Sequence, residues 1–116
     1  MTFSPIGDFR EIQLSATMAS FGYEFEWDRA KAQANFAKHG VNFEQAAEVF
    51  LDPFALTIAD DEHSMGEIRW ITLGKDVLGQ YVLVVHTFEQ SDGSIARIRI
   101  ISARQPTRSE IRDYEE

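Results

Sequence analysis

Four strand-like runs crowded between residues 55 and 104 constrain this chain most. Residues 67–74 alternate, with Ile68, Trp70 and Thr72 on one side and Arg69, Ile71 and Leu73 on the other. Residues 94–104 alternate again, setting Ile98 and Ile100 opposite Arg97 and Arg99. This period of two belongs to a strand with one buried face. Residues 80–88 are more continuously apolar and predict a central strand, whereas 55–59 is short. Turn formers separate the runs: Asp60-Asp61-Glu62-His63-Ser64, Lys75-Asp76-Val77-Leu78-Gly79 and Gln90-Ser91-Asp92-Gly93. Connections this short join antiparallel neighbours, so the runs predict a meander paired in sequence order.

The flanks of this block read as helices. Tyr23-Glu24-Phe25-Glu26-Trp27 alternates aromatic and acidic residues and predicts a first strand. Asp28 offers an N-cap for an alanine-rich helix from 29 to about 39, and Gly40 offers the left-handed stop. Asn42 with Gln45 has the spacing of a capping box, after which Phe43, Ala46, Ala47 and Phe50 fall on one face. Asp52-Pro53 ends that helix. A second box, Thr107 with Glu110, opens a last helix in which Ile111 and Tyr114 share a side. The predicted order is β-α-α-β-β-β-β-α, an α+β domain over residues 23–116. Residues 1–22 lack periodicity and predict an N-terminal extension, disordered or carrying a short helix near residues 9–14.

Composition narrows the chemistry. The 116 residues include no Cys, which excludes a disulfide scaffold, a thiol nucleophile and a thiolate zinc site. No apolar run is long enough for a membrane span and no signal peptide is visible, so a cytoplasmic protein is expected. The net charge of −8 argues against broad nucleic-acid binding. That charge is uneven. Residues 23–67 carry ten acids against Arg29, Lys31 and Lys38, whereas residues 68–116 balance seven against seven. Within the second half, Arg97, Arg99, Arg104, Arg108 and Arg112 face only Glu110 between positions 97 and 112. Alternating arginines protect a sheet edge from aggregation or bind phosphate through their forked donors. Their concentration on an acidic protein favours an anion. Lys38 and His39 close the first long helix, where cations favour the helix dipole, and His39 is also a candidate proton-transfer group. His63 reads as part of a solvated turn rather than a metal ligand, and His86 as a half-buried or outward-facing structural residue. No cofactor and no metal is expected.

These segments resemble a known family. Phe25-Glu26-Trp27-Asp28, Lys38-His39-Gly40-Val41-Asn42-Phe43-Glu44-Gln45-Ala46 and Asp52-Pro53 are similar to the front half of a BrnT-family toxin. His63-Ser64, Glu67-Ile68-Arg69, the Gly74 turn and Arg99-Ile100-Ile101-Ser102-Ala103-Arg104, followed by Thr107 and Tyr114, are similar to its back half. The pair Lys-His-Gly-Val-x-Phe-Glu and Arg-Ile-Ile-Ser-Ala-Arg carries most of the specificity. The resemblance implies a RelE-like fold and an endoribonuclease toxin of a type II toxin–antitoxin pair. It implies a BrnA-like partner with a ribbon-helix-helix domain. It also implies a heterotetramer, with a possible homodimer contact, that meets DNA only through the antitoxin.

Metal-independent RNA cleavage through 2′-hydroxyl attack needs a base, an acid and cations to stabilise the phosphorane. Arg69, Arg99 and Arg104 are expected to stabilise that charge, His39 to act as acid or base, and Tyr114 to move protons or position RNA. Lys38, Arg97, Arg108 and Glu110 are expected to contact substrate, and loss of Arg104 to lower cleavage sharply. The alternative is a non-catalytic module that binds another protein through the acidic face of residues 23–67, which would also suit a basic antitoxin segment.

Overall fold

A computed structural model describes residues 22–61, 66–91 and 95–116. The expectations for residues 1–21 and for His63 lie outside the described residues. The chain forms β1 (Tyr23–Glu26), α1 (Arg29–His39), α2 (Phe43–Glu48), a 3₁₀ turn (Val49–Leu51), β2 (Leu56–Ala59), β3 (Trp70–Lys75), β4 (Tyr81–His86), β5 (Glu89–Ser91), β6 (Ile95–Arg104) and α3 (Arg108–Glu115). The predicted α+β order holds, with a short extra strand, β5.

Local chemistry sets the helix ends. Asp28 caps α1 by accepting from the Lys31 N–H at 3.0 Å. Gly40 stops it at φ +73°, its N–H donating to the Phe36 carbonyl at 2.8 Å. Asn42 accepts from the Gln45 N–H at 2.7 Å. The predicted reciprocal half of that box does not form, because the Gln45 side chain is turned away from the Asn42 N–H toward Asp76 and Gln80. The box at Thr107 is complete in both directions.

The sheet runs β1-β6-β4-β3-β2, with β5 pairing on β6. Strands β2, β3, β4 and β6 form the expected antiparallel meander, and β4 lies at the centre of the sheet. The meander does not extend to β1, which pairs with β6 in parallel, Tyr23 opposite Ala96. This is possible because β1 and β6 are separated by the whole rest of the fold, so no short connection dictates their direction.

The core lies between one sheet face and the layer of α1 and α2. Phe25, Phe43, Val49, Val82, Val84, Ile98 and Ile100 are buried there. The alanine-rich α1 supplies little of this apolar surface, and its one buried residue is Asn35. Asn35 Nδ2 donates to the carbonyls of Ala103 (2.8 Å) and Val41 (3.1 Å), and its Oδ1 accepts from the Ala103 N–H (3.0 Å). The helix is thus docked by a satisfied polar clamp at the end of β6.

His86 is fully buried on the core face, not half-buried or outward-facing. Its ring is met edge-on by Phe50, with centroids 4.8 Å apart. Because the Thr87 carbonyl only accepts, Nδ1 carries the proton and donates to it at 2.9 Å. In the neutral ring Nε2 then accepts from Thr72 Oγ1 at 2.7 Å, and Thr72 in turn accepts from Thr57 Oγ1 at 2.8 Å. A short polar chain therefore ties edge strand β2 to β3 and β4.

Candidate functional site

The outer sheet face, opposite the core, carries the strand arginines Arg97, Arg99 and Arg104, which alternate with or flank the buried Ala96, Ile98, Ile100 and Ala103. A bulge between β4 and β6 arranges them. Val85 pairs with Ser102 while His86 pairs with Ile100, which leaves Ile101 as an extra residue. Arg97 and Arg99 lie on one side of the bulge and Arg104 on the other. Five residues of strand, at about 3.3 Å each, separate Arg99 from Arg104 by about 16 Å. The two sets of cations therefore lie at opposite ends of one face.

At the first end, an open cavity of about 340 Å³ is lined by Glu26, Lys31, Glu67, Arg69, Arg99 and their neighbours. Arg69 arrives just ahead of β3 and Arg99 from β6, with β4 between those strands. Arg99 Nη2 donates to both carboxylate oxygens of Glu67, with 2.8 Å to Oε1. Glu26 stands beside Arg99 in the parallel β1–β6 register. One step along, Arg97 reaches Glu24 at 3.4 Å, in an exposed pair at the rim.

At the second end, Arg104 forks onto Glu110, Nη1 to Oε1 and Nη2 to Oε2, each 3.0 Å. The hydrogen bonds from Arg104 hold the Glu110 carboxyl below its usual range, and the carboxylate in turn raises the Arg104 value. Beside this pair, the Tyr81 and Tyr114 rings meet edge to face with centroids 5.3 Å apart. The Lys75 ammonium sits over both rings, 5.1 and 5.7 Å from their centroids. Tyr114 donates its hydroxyl to Asp52 at 2.8 Å, and Tyr81 donates to Glu115 at 2.5 Å. Burial, followed by the bond to Asp52, pushes Tyr114 up to about 12. The bond to Glu115 raises Tyr81. Burial alone would raise the Asp52 carboxyl, but the N–H groups of Phe54 and Lys75, the Tyr114 hydroxyl and the Lys75 charge outweigh it and hold Asp52 low. Both phenols are therefore neutral donors at physiological pH, committed to carboxylates.

The structure does not gather the predicted residues into one centre. Arg69 and Arg99 meet at the first end, with Arg97 at its margin. Arg104, Glu110 and Tyr114 meet at the second. His39 is half-buried at the C-terminal turn of α1. Eight helical residues, at about 1.5 Å each, set it about 12 Å along the axis from Lys31, away from the Arg69–Arg99 cavity. Lys38 is exposed on that same turn. Arg108 is exposed and lines a shallow groove with Ile111, Arg112 and Glu115. Sequence reasoning did not single out Lys31, Glu67, Lys75, Tyr81 and Asp52, which the structure brings into these two clusters. Glu67 and Asp52 stood within the family motifs, whereas Lys75 and Tyr81 carried only the signal of facing positions across a predicted hairpin.

The fold and these clusters define a small α+β protein with phosphate-suited cations on the open face of a largely antiparallel sheet. The family model described as "Ribonuclease toxin, BrnT, of type II toxin-antitoxin system" matches residues 27–110, and the chain belongs to that family. It is also similar to the crystal structure of the Brucella abortus ribonuclease toxin BrnT, with a TM-score of 0.51 and 26% identity over 71% of this chain and 94% of that one. A comparison with curated proteins finds no match. The span matched by the family model stops short of Tyr114. Among the described residues no helix is long and apolar enough to cross a membrane.

Proposed function

We propose that this chain is the cytoplasmic endoribonuclease toxin of its pair and cleaves RNA without a metal, through the RNA's own 2′-hydroxyl. The observation that carries this reading is the cavity in which Arg69, Arg99, Lys31 and Glu67 converge from different elements. Such a set offers cations for a phosphate and a carboxylate for a proton. In the proposed step Glu67 accepts the 2′-hydroxyl proton as O2′ forms its bond to phosphorus. The P–O5′ bond breaks, and Lys31 supplies the proton to the departing O5′. Arg69 and Arg99 stabilise the charge on the phosphorane oxygens, where preorganised donors contribute most. The products are a 2′,3′-cyclic phosphate and a 5′-hydroxyl. Arg99 holds Glu67 in place until substrate arrives, and an incoming phosphate competes for the same guanidinium. His39, about 12 Å along α1 from Lys31 by helical rise, has no part in this step.

The partner in this reading is a BrnA-like ribbon-helix-helix antitoxin. It assembles with the toxin into a heterotetramer that contacts DNA through the antitoxin alone. The test is to incubate the purified chain with a defined RNA in chelator and to analyse the fragment ends. Discrete fragments ending in 2′,3′-cyclic phosphate are expected. Intact RNA in the presence of the folded protein, or fragments with 3′-hydroxyl ends, would overturn the mechanism.

A further inference from the structure

A second open cavity, of about 390 Å³, lies beside the tyrosine cluster and has a different chemistry. It is lined by Gly40, Gln45, Gln80, Tyr81, Gln105 and Ile111, with Val41 and Pro106 completing the wall. Not one of these side chains is charged. They are amides, one aromatic ring and apolar surface, in a cavity of the size of small-molecule sites. Gly40 forms part of the wall by its backbone, and a Cβ there would meet nothing within 4 Å.

The amides have a fixed polarity. Asp76 is a buried carboxylate whose Oδ1 accepts from the N–H groups of Leu78 (2.9 Å) and Gln80 (2.8 Å). Its Oδ2 accepts from Gln45 at 2.9 Å. A carboxylate only accepts, so Gln45 must present its Nε2 to Asp76. The same Nε2 donates to Gln80 Oε1 at 3.2 Å. This orientation leaves Gln45 Oε1 as an acceptor and Gln80 Nε2 as a donor for something else. The edge of a nucleobase carries such donors and acceptors side by side, and its faces stack on aromatic rings. Tyr81 is held for that role, its hydroxyl on Glu115 and its ring against Tyr114. Lys75, opposite Tyr81 in the β3–β4 ladder, stands next to this wall as a cation for a flanking phosphate.

We propose that this cavity binds one unpaired RNA base and sets which sequences the toxin prefers. The inference rests on the chain's acting on RNA, and it adds a base-reading site about 16 Å along β6 from the Arg99 cavity, by strand rise. The site takes a purine or pyrimidine edge, and the glutamine pattern rather than a charge selects among them.

The experiment uses the full chain and 2′-O-methyl oligonucleotides, which lack the attacking hydroxyl. Four homopolymers and an abasic oligomer of the same length are titrated by fluorescence anisotropy. The wild type is expected to prefer one base and to bind every base-bearing oligomer more tightly than the abasic one. Tyr81→Ala should weaken binding to the preferred homopolymer about tenfold, the order of one lost base-stacking contact. Tyr81→Phe, which keeps the ring and loses only the bond to Glu115, should restore it. Gln80→Leu and the exposed-site Gln105→Ala should flatten the preference among bases while leaving abasic binding unchanged. Equal binding of abasic and base-bearing oligomers would overturn the proposal, and so would an unaltered base preference in the glutamine variants. Failure of the cleavage reading would appear separately, as ordinary RNA left intact, because the binding comparison needs no turnover.

Discussion

The two ends of the outer sheet face use the same residue types to opposite effect. At the Arg69–Arg99 end the carboxylate partner, Glu67, comes from a segment ahead of β3, and both members of its pair with Arg99 are more than a third exposed. A pair of that kind is worth little to stability and is easily exchanged for another anion. At the Arg104 end, Glu110 is bound twice over. It closes the capping box of α3 as well as gripping the guanidinium. Displacing Glu110 there would also uncap a helix. In the proposed reading the first end releases its cation to a substrate, whereas at the second the Arg104–Glu110 pair and the capping box together hold α3 in position. An arginine's availability thus depends on what else its partner is doing.

The comparison ranks the variants. Arg99→Ala should lower RNA cleavage about 100- to 1,000-fold, as loss of a charge-stabilising donor does, with little change in thermal midpoint. Arg104→Ala should lower it about tenfold or less, the cost of a displaced binding wall rather than of a lost transition-state contact. Single-turnover cleavage rates of the two variants decide this, and a larger loss at Arg104 would reverse the assignment of the ends. Gly74→Ala strikes the second end from below. A Cβ at Gly74 would lie 2.9 Å from Val49 Cγ1 and 3.1 Å from both Ala55 Cβ and Asp52 Oδ2. Denaturant unfolding should show a loss of about 1–3 kcal/mol, typical of overpacking, and the Tyr114–Asp52 bond should loosen with it. Tyr114→Phe removes only that bond and should cost about 1 kcal/mol. A loss near zero would mean that the ring contact alone holds α3.

The smallest effect is a pH dependence that belongs to neither end. Burial lowers the His86 value below its ordinary 6.5. The folded protein therefore holds the ring neutral where the unfolded chain would protonate it. Stability is fully present above about pH 6.5 and falls as pH drops from there through the folded value. His86→Asn should flatten that decline in unfolding midpoints measured between pH 7 and pH 5. A decline of unchanged steepness would place its source in other groups.

Much of the fold was legible because it is local. Caps at Asp28, Asn42 and Thr107, the stop at Gly40 and the alternation of the strands are written within a few residues of where they act. The parallel pairing of β1 was not legible, since nothing near Tyr23 names a partner as distant as Ala96. Asn35 was invisible for the same reason, because an asparagine in an alanine-rich helix reads as solvated until Ala103 arrives beside it. The sequence singled out the arginines as a group, but their division into two ends depends on the extra residue at Ile101, and a bulge leaves the alternation pattern almost intact. Lys75 and Tyr81 join the Arg104 cluster only through Tyr114 of α3, which packs against both.

The parallel β1–β6 ladder also orders events in time. Glu24 and its partner Arg97 are 73 residues apart in the chain. The Asn35 clamp spans 68 residues to Ala103. During synthesis the β2–β4 hairpins can form while β1 and α1 still wait for the segment that docks them, since contacts of long sequence separation form last. The Arg99 cavity takes walls from β1, α1 and β6 together. A ribosome must therefore release β6 before the cavity exists, so this part of the surface is assembled only after every strand of the described sheet has been made.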